Sequence, residues 1–199
     1  MEIVSYTYIV NRIFTSRTYI LEEDACPAVW LVDCGDFDKV LDRIGDKAIA
    51  GVLLTHAHFD HIYGLPELLS LFPQCLIVTN ETGLAALGSD KANMSRYNGT
   101  PLQVTPTNVM LVHDGDSVPI FDGIMARVYE TPGHNPSCLT FEIGNLLFTG
   151  DAFIPGEKVI TALPGGSKSI AAASVARILE LGHGKVILPG HELRAENIE

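Results

Sequence analysis

The stretch LTHAHFDHIYGL, Leu54–Leu65, places three histidines and an aspartate within six positions, His56 to His61. It constrains the chain more than any other feature. Before it comes AIAGVLLT (residues 48–55), a continuous apolar run of strand length that reads as a buried strand. After it comes GLPELLSLF (residues 64–72), a helix pattern with Pro66 in its first turn. The donors therefore sit on a strand-to-helix loop. Nitrogen and carboxylate groups in a His-x-His-x-Asp-His order can reach two adjacent points in space. Imidazole suits zinc and iron, and a carboxylate widens the choice of metal. A polar turn that happens to be rich in histidine is the competing reading, and this stretch alone does not separate the two.

Three later positions repeat the same punctuation. His134 in ETPGHNPS, Asp151 in LLFTGDAF and His191 in VILPGHE each follow an apolar strand pattern and lie beside a glycine. Glycine lets two stretches of backbone approach closely. Five of the seven histidines thus fall in these motifs, a concentration that chance would scatter. His113 and His183 lie outside them and are expected to hold no metal.

The rest of the chain says what could bring these motifs together. Glu2–Val10, Arg17–Glu23 and Pro27–Gly35 read as a meander of β-strands. A helix follows, with Asp36 as its expected N-cap and Val40, Leu41 and Ile44 on one face. Cys75–Thr79 reads as a strand, and Asn80 caps a short helix. Further strands are expected at Asn108–Val112, Ser117–Ile120, Ile124–Glu130, Cys138–Ile143 and Leu146–Thr149, then a helix at Ser169–Gly182 and a last buried strand in KVILPG. Strands that need cover on one face and a partner sheet on the other suggest two packed sheets with helices outside. One end of such a sandwich would gather all seven donors. Residues 88–106, GSDKANMSRYNGTPLQVTP, break the pattern; a loop of that length is expected to be functional, with Asn93, Arg96 and Tyr97 as lid or substrate residues.

Composition excludes several classes. The 199 residues suit one domain, and 47% hydrophobic with 19% charged is a globular balance. The net charge of -11 argues against a broad contact with nucleic acid. No basic leader precedes an apolar segment, and no apolar run reaches membrane-spanning length, so no membrane partner is expected. Cys26, Cys34, Cys75 and Cys138 are widely spaced and form no CxxC pair, which reads as reduced thiols in a cytoplasmic protein. The oligomeric state stays open.

Taken together, HxHxDH, then TPGH, then GD, then PGH resembles the metallo-β-lactamase superfamily, with successive spacings of 73, 17 and 40 residues counted from His61. LVDCGD (residues 31–36) is similar to that family's D-x-G strand end. The resemblance implies an α+β fold, a four-layer αββα sandwich with the metal site at one edge of the two sheets. It implies two divalent ions, zinc or alternatively iron or manganese. His56, His58 and His134 would bind the first, Asp60, His61 and His191 the second, and Asp151 would bridge them. Asp33 would support the histidine loop from behind. A metal-bridging hydroxide would be the nucleophile, with Asp60 also orienting it. Some branches replace the Asp or a His of this loop and become redox enzymes; here both are kept.

Within the superfamily, THAHFDHIYGL, FTGDAF and GHELRAENIE are most similar to the glyoxalase II-like branch, the hydroxyacylglutathione hydrolases. That likeness implies hydrolysis of a small-molecule thioester. The chain departs from the branch in three places. Eight residues follow His191, so residues 1–199 are expected to form a single domain without the branch's C-terminal helical domain. AFIPGEKVITALPGGSKS lacks a G-x-G-[KR] run, leaving Lys158 as its basic residue, and HNPSC stands where HTPGS is usual. Arg96, Tyr97, Lys158 and Asn197 are the candidate substrate residues. The alternatives are a lactonase on the same site and a mononuclear iron persulfide dioxygenase using His56, His134 and Asp151.

Overall fold

The computed structural model describes residues 4–192, and the secondary structure follows the apolar periodicity closely. The first sheet opens with β1 (Ser5–Val10), β2 (Arg17–Glu22) and β3 (Ala28–Val32), an antiparallel meander as expected. From β3 onward each neighbour is parallel: β4 (Ala48–Leu53), β5 (Leu76–Thr79) and β6 (Val109–Leu111). Parallel neighbours need crossovers. Helices α1 (Phe37–Ile44), α2 (Phe59–Ile62), α3 (Leu65–Leu71) and α4 (Glu81–Leu87) supply them, and the sheet order is β1-β2-β3-β4-β5-β6.

The second sheet, ordered β11-β10-β9-β8-β7, contains β7 (Ser117–Phe121), β8 (Ile124–Glu130), β9 (Leu139–Ile143), β10 (Leu146–Gly150) and β11 (Val186–Pro189). Its pairs are antiparallel except β10 and β11, which are parallel and joined through α5 (Lys168–Leu181).

Alternation along each strand builds the layers. On β4, Val52 points into a core with Phe37 and Val40 of α1 and Leu65 and Leu68 of α3. Its neighbour Leu53 points the other way, into a core with Val128, Phe141 and Phe148 of the second sheet. A third, smaller cluster packs Ile178 of α5 on Leu147 and Cys138. The result is helices, sheet, sheet, helix: the four-layer α+β sandwich.

Local details differ from expectation at two places. Asn80 does cap α4, its side chain accepting from the Gly83 N–H at 2.9 Å. Asp36 occupies the N-cap position of α1 but makes no cap bond. Its carboxylate instead accepts from the Arg12 N–H at 2.9 Å and the Tyr63 hydroxyl, and pairs with Lys39 at 2.7 Å. It fastens the β1–β2 turn to α1 and α2. Residues 88–106 are held by local contacts. Asn93 is buried, donating to the Leu102 carbonyl and accepting from the Ser95 N–H, both at 2.9 Å. Leu102 and Val104 pack on the helix-side core. The four cysteines are unpaired, three of them buried. Among the described residues, no helix is long and apolar enough to cross a membrane.

Candidate metal centre

Strand direction decides where the motifs meet. β8 and β10 are each antiparallel to β9, so they run the same way, and β11 runs with β10. Their C-terminal ends therefore share one edge, and His134, Asp151 and His191 follow those ends. The first sheet joins at the same edge, where the Leu139 N–H donates to the Thr55 carbonyl at 2.7 Å. Beyond Thr55 the chain leaves β4. His56 and His58 lie on the connection, and Asp60 and His61 on the single turn of α2.

Two glycines make the approach feasible. A Cβ on Gly190 would lie 2.3 Å from Asp151 Oδ1 and 2.9 Å from His61 Cε1. A Cβ on Gly133, whose φ is +130°, would lie 2.4 Å from the Ala171 backbone. No side chain fits at either position.

The donor atoms of His56, His58 and His134 lie within 4.8 Å of one another, and so do those of Asp60, His61 and His191. Asp151 stands between the two groups. Its Oδ2 is 3.2 Å from His191 Nε2 and 3.6 Å from His134 Nε2, and its Oδ1 is 3.5 Å from His61 Nε2. Asp60 Oδ2 is 3.3 Å from His61 Nε2 and 3.2 Å from His191 Nε2. A tetrahedral ion with ligands at ~2.1 Å separates them by about 3.4 Å.

Outer contacts aim these rings. The Phe14 carbonyl accepts from His191 Nδ1–H and the Ile160 carbonyl from His134 Nδ1–H, both at 2.8 Å. Each ring thereby turns its Nε2 toward the centre. Asp33 Oδ2 lies 2.8 Å from His61 Nδ1, and its carboxylate is held by the Thr55 N–H and hydroxyl, both at 2.7 Å. His58 reverses the pattern. Its Nδ1 faces His134 Nε2 at 2.9 Å, and its Nε2 lies 2.9 Å from the Asn135 amide nitrogen. Asn135 is itself fixed by the Ser137 N–H and hydroxyl, which donate to its oxygen.

Two atoms of this centre lack a hydrogen bond among the described residues. His56 Nε2 and Asp151 Oδ1 are buried without a hydrogen bond. Buried polar atoms are nearly always satisfied, so such orphans call for a missing group. The charge state agrees. Burial, reinforced by the surrounding histidines, holds His56 well below the usual imidazole range. Burial and His134 push His58 down to about 4. For His61 and His191 burial works in the same direction, but the carboxylates of Asp60 and Asp151 outweigh it. His61 is held well above its usual value, and His191 is raised to about 9. Burial alone would raise the pKa of both aspartates, yet the histidines keep them ionised. Two buried carboxylates thus sit among imidazoles and demand positive charge, which protons or metal cations can supply. The donor set fits divalent metals.

The seven donors read from the sequence converge here, and Asp33 stands behind His61. Lys158 lines a cavity of about 430 Å³ whose wall includes His134, Asp151 and His191. Arg96 and Tyr97 do not line that cavity. Arg96 pairs with Asp90 at 3.0 Å within its own segment, and Tyr97 faces solvent at 61% exposure. Asn197 lies outside the described residues. Sequence reasoning missed Asn135, Thr55 and the carbonyls of Phe14 and Ile160. Asn135 carried a signal, as the residue that departs from the usual turn after His134. A carbonyl carries none, because every residue has one.

Comparison with known proteins agrees with this geometry. The family described as Metallo-beta-lactamase superfamily matches residues 18–191. A hydroxyacylglutathione hydrolase of Tolumonas auensis is 26% identical over 170 residues, which are 84% of this chain and 59% of that enzyme. The chain thus spans about three-fifths of that relative's length. Among solved structures, the BLEG-1 B3 metallo-beta-lactamase superposes with a TM-score of 0.84 at 24% identity, covering 95% of this chain and 92% of that one. TTHA1623 in a di-iron-bound form gives 0.80 at 24% identity, covering 94% and 92%. With the family match spanning residues 18–191 and the donors gathered at one sheet edge, this chain belongs to the metallo-β-lactamase superfamily.

Proposed function

We propose that the chain is a binuclear metal-dependent hydrolase acting on a small-molecule thioester. The observation that carries this is the position of Asp151 within 3.6 Å of a histidine from each donor group. In this reading His56, His58 and His134 hold one ion, Asp60, His61 and His191 hold the other, and Asp151 serves both. When bound, such ions lower the pKa of water toward ~7 and polarise a carbonyl.

The chain's own residues do the rest. The carbonyls of Phe14 and Ile160 accept from Nδ1 of His191 and His134 and aim the two rings at the centre. Asp60, whose side chain keeps 12% exposure, orients the attacking water through Oδ2. The water gives up its protons to solvent as its oxygen bonds to the acyl carbon, the C–S bond breaks, and the sulfur leaves with the electron pair, giving a carboxylate and a thiolate. A thiolate leaves readily, so no strong general acid is required. The retention of both Asp60 and His61 favours hydrolysis over redox chemistry, and the likeness to a hydroxyacylglutathione hydrolase favours a thioester.

Metal analysis of protein purified without added metal, followed by a substrate panel, tests the reading. Close to two ions of zinc, iron or manganese per chain are expected, with thioesters cleaved faster than lactones or phosphodiesters. A preference for lactones would reassign the substrate. One iron per chain with oxygen uptake on a persulfide would overturn the hydrolase.

A further inference from the structure

The cavity beside the donor set is walled by Phe14, Ile154, Val159 and Ile160. Phe14 and Ile160 are large apolar side chains that remain 62% and 59% exposed. The same two residues supply the carbonyls that aim His191 and His134, each at 2.8 Å. Each lip of the cavity is thus fastened by its own backbone to a donor histidine.

The Phe14 lip is also strained. Phe14 and Thr15 both adopt left-handed backbone, with φ of 54° and 56°. Bulky and β-branched residues rarely do so, and such strain gathers at ligand clamps. Glycine would make the same turn and offer the same carbonyl without the cost. The benzyl side chain therefore needs a reason of its own, and its place on the cavity wall supplies one.

We propose that Phe14 and Ile160 determine specificity by seating an apolar acyl group, alkyl or aryl, against the donor set; this rests on the thioester-hydrolase reading above. His134, Asp151 and His191 belong to the cavity wall, so a group that fills it is joined directly to the reacting carbonyl. The charged side chains around it are Glu157, Lys158 and Glu192, two carboxylates to one cation beyond the donors. Filling the cavity removes apolar area on both partners from water, a gain that grows with chain length.

A series of thioesters of one neutral thiol, N-acetylcysteamine, running from acetyl to octanoyl, tests this on the metal-replete protein. The expected kcat/KM rises about fourfold per methylene until the cavity is full. Phe14→Ala and Ile160→Ala should each flatten that slope while metal per chain stays near wild type, because both carbonyls remain. Ile160→Phe should move the optimum to shorter chains. Hydrolysis with no chain-length dependence, or a dependence these substitutions leave unchanged, overturns the assignment and leaves the hydrolase standing. If no thioester is cleaved by metal-replete protein, the thioester reading falls and this assignment with it.

Discussion

Two polar segments of this chain invite a functional reading, residues 54–61 and residues 88–106, and they fold in opposite ways. In 88–106 the polar groups satisfy one another locally. Asn93 bonds Leu102 and Ser95, and Arg96 pairs with Asp90 six residues away. In 54–61 the polar groups reach across the fold. His61 finds Asp33 and His191, and His58 finds His134 and Asn135. Even so, His56 Nε2 is left without a partner. A segment that closes its own hydrogen bonds is holding a loop in shape. A segment that imports partners from three strand ends and still leaves a buried atom open is built for a ligand.

Substitutions can break that contrast. The largest effect is expected from His58→Ala, which removes a donor. Turnover should disappear, and metal affinity should fall by more than the ~10–100-fold typical of outer contacts. Full activity with unchanged metal content in this variant would sink the assignment. Asp33→Asn comes next, since it keeps the shape but weakens the hold on His61. Metal affinity should fall ~10–100-fold, read by competition with a chelator, and no change would mean that Asp33 serves only the turn.

A smaller effect, on stability rather than activity, is expected at Asp36. Burial alone would raise its pKa, but Lys39, Tyr63 and the Arg12 N–H more than reverse this and hold it below the usual carboxylate range. The folded state therefore favours the ionised form. The stabilisation is present above the unfolded pKa of about 4 and is lost as pH falls through the lower folded value. Asp36→Asn should cost about 1–2 kcal/mol at pH 7, a fall in Tm of roughly 2–8 °C, and the gap to wild type should close below about pH 4. A gap independent of pH would contradict the role given to the charge. The smallest effects belong to the other segment. Arg96→Ala and Tyr97→Ala should shift stability by less than ~1 kcal/mol and leave kcat/KM unchanged. A large loss of kcat/KM would restore the lid.

Much of this was legible before any coordinates. Strand and helix runs such as AIAGVLLT and SIAAASVARILELG follow apolar periodicity, and their bounds shift by only a residue or two in the fold. The seven donors were legible because side-chain identity and the glycines beside them carry the signal. What stayed hidden is held by backbone or by long-range geometry. Asp36 looked like a cap because local sequence cannot show Tyr63 and Arg12 arriving from elsewhere. The cavity wall pairs residue 14 with residue 160, a juxtaposition set by the packing of two sheets rather than by any local pattern. The local hydrogen bonds of residues 88–106 were hidden because polar composition does not tell self-satisfied groups from open ones.

The central claim is that Asp151 stands between two metal ions. Anomalous X-ray diffraction from crystals of the protein as purified, measured at the absorption edge of the metal it carries, tests this most directly. The account predicts two peaks about 3.5–4 Å apart, one among His56, His58 and His134 and one among Asp60, His61 and His191, with the Asp151 carboxylate between them. A single peak, or two that Asp151 does not touch, would contradict it.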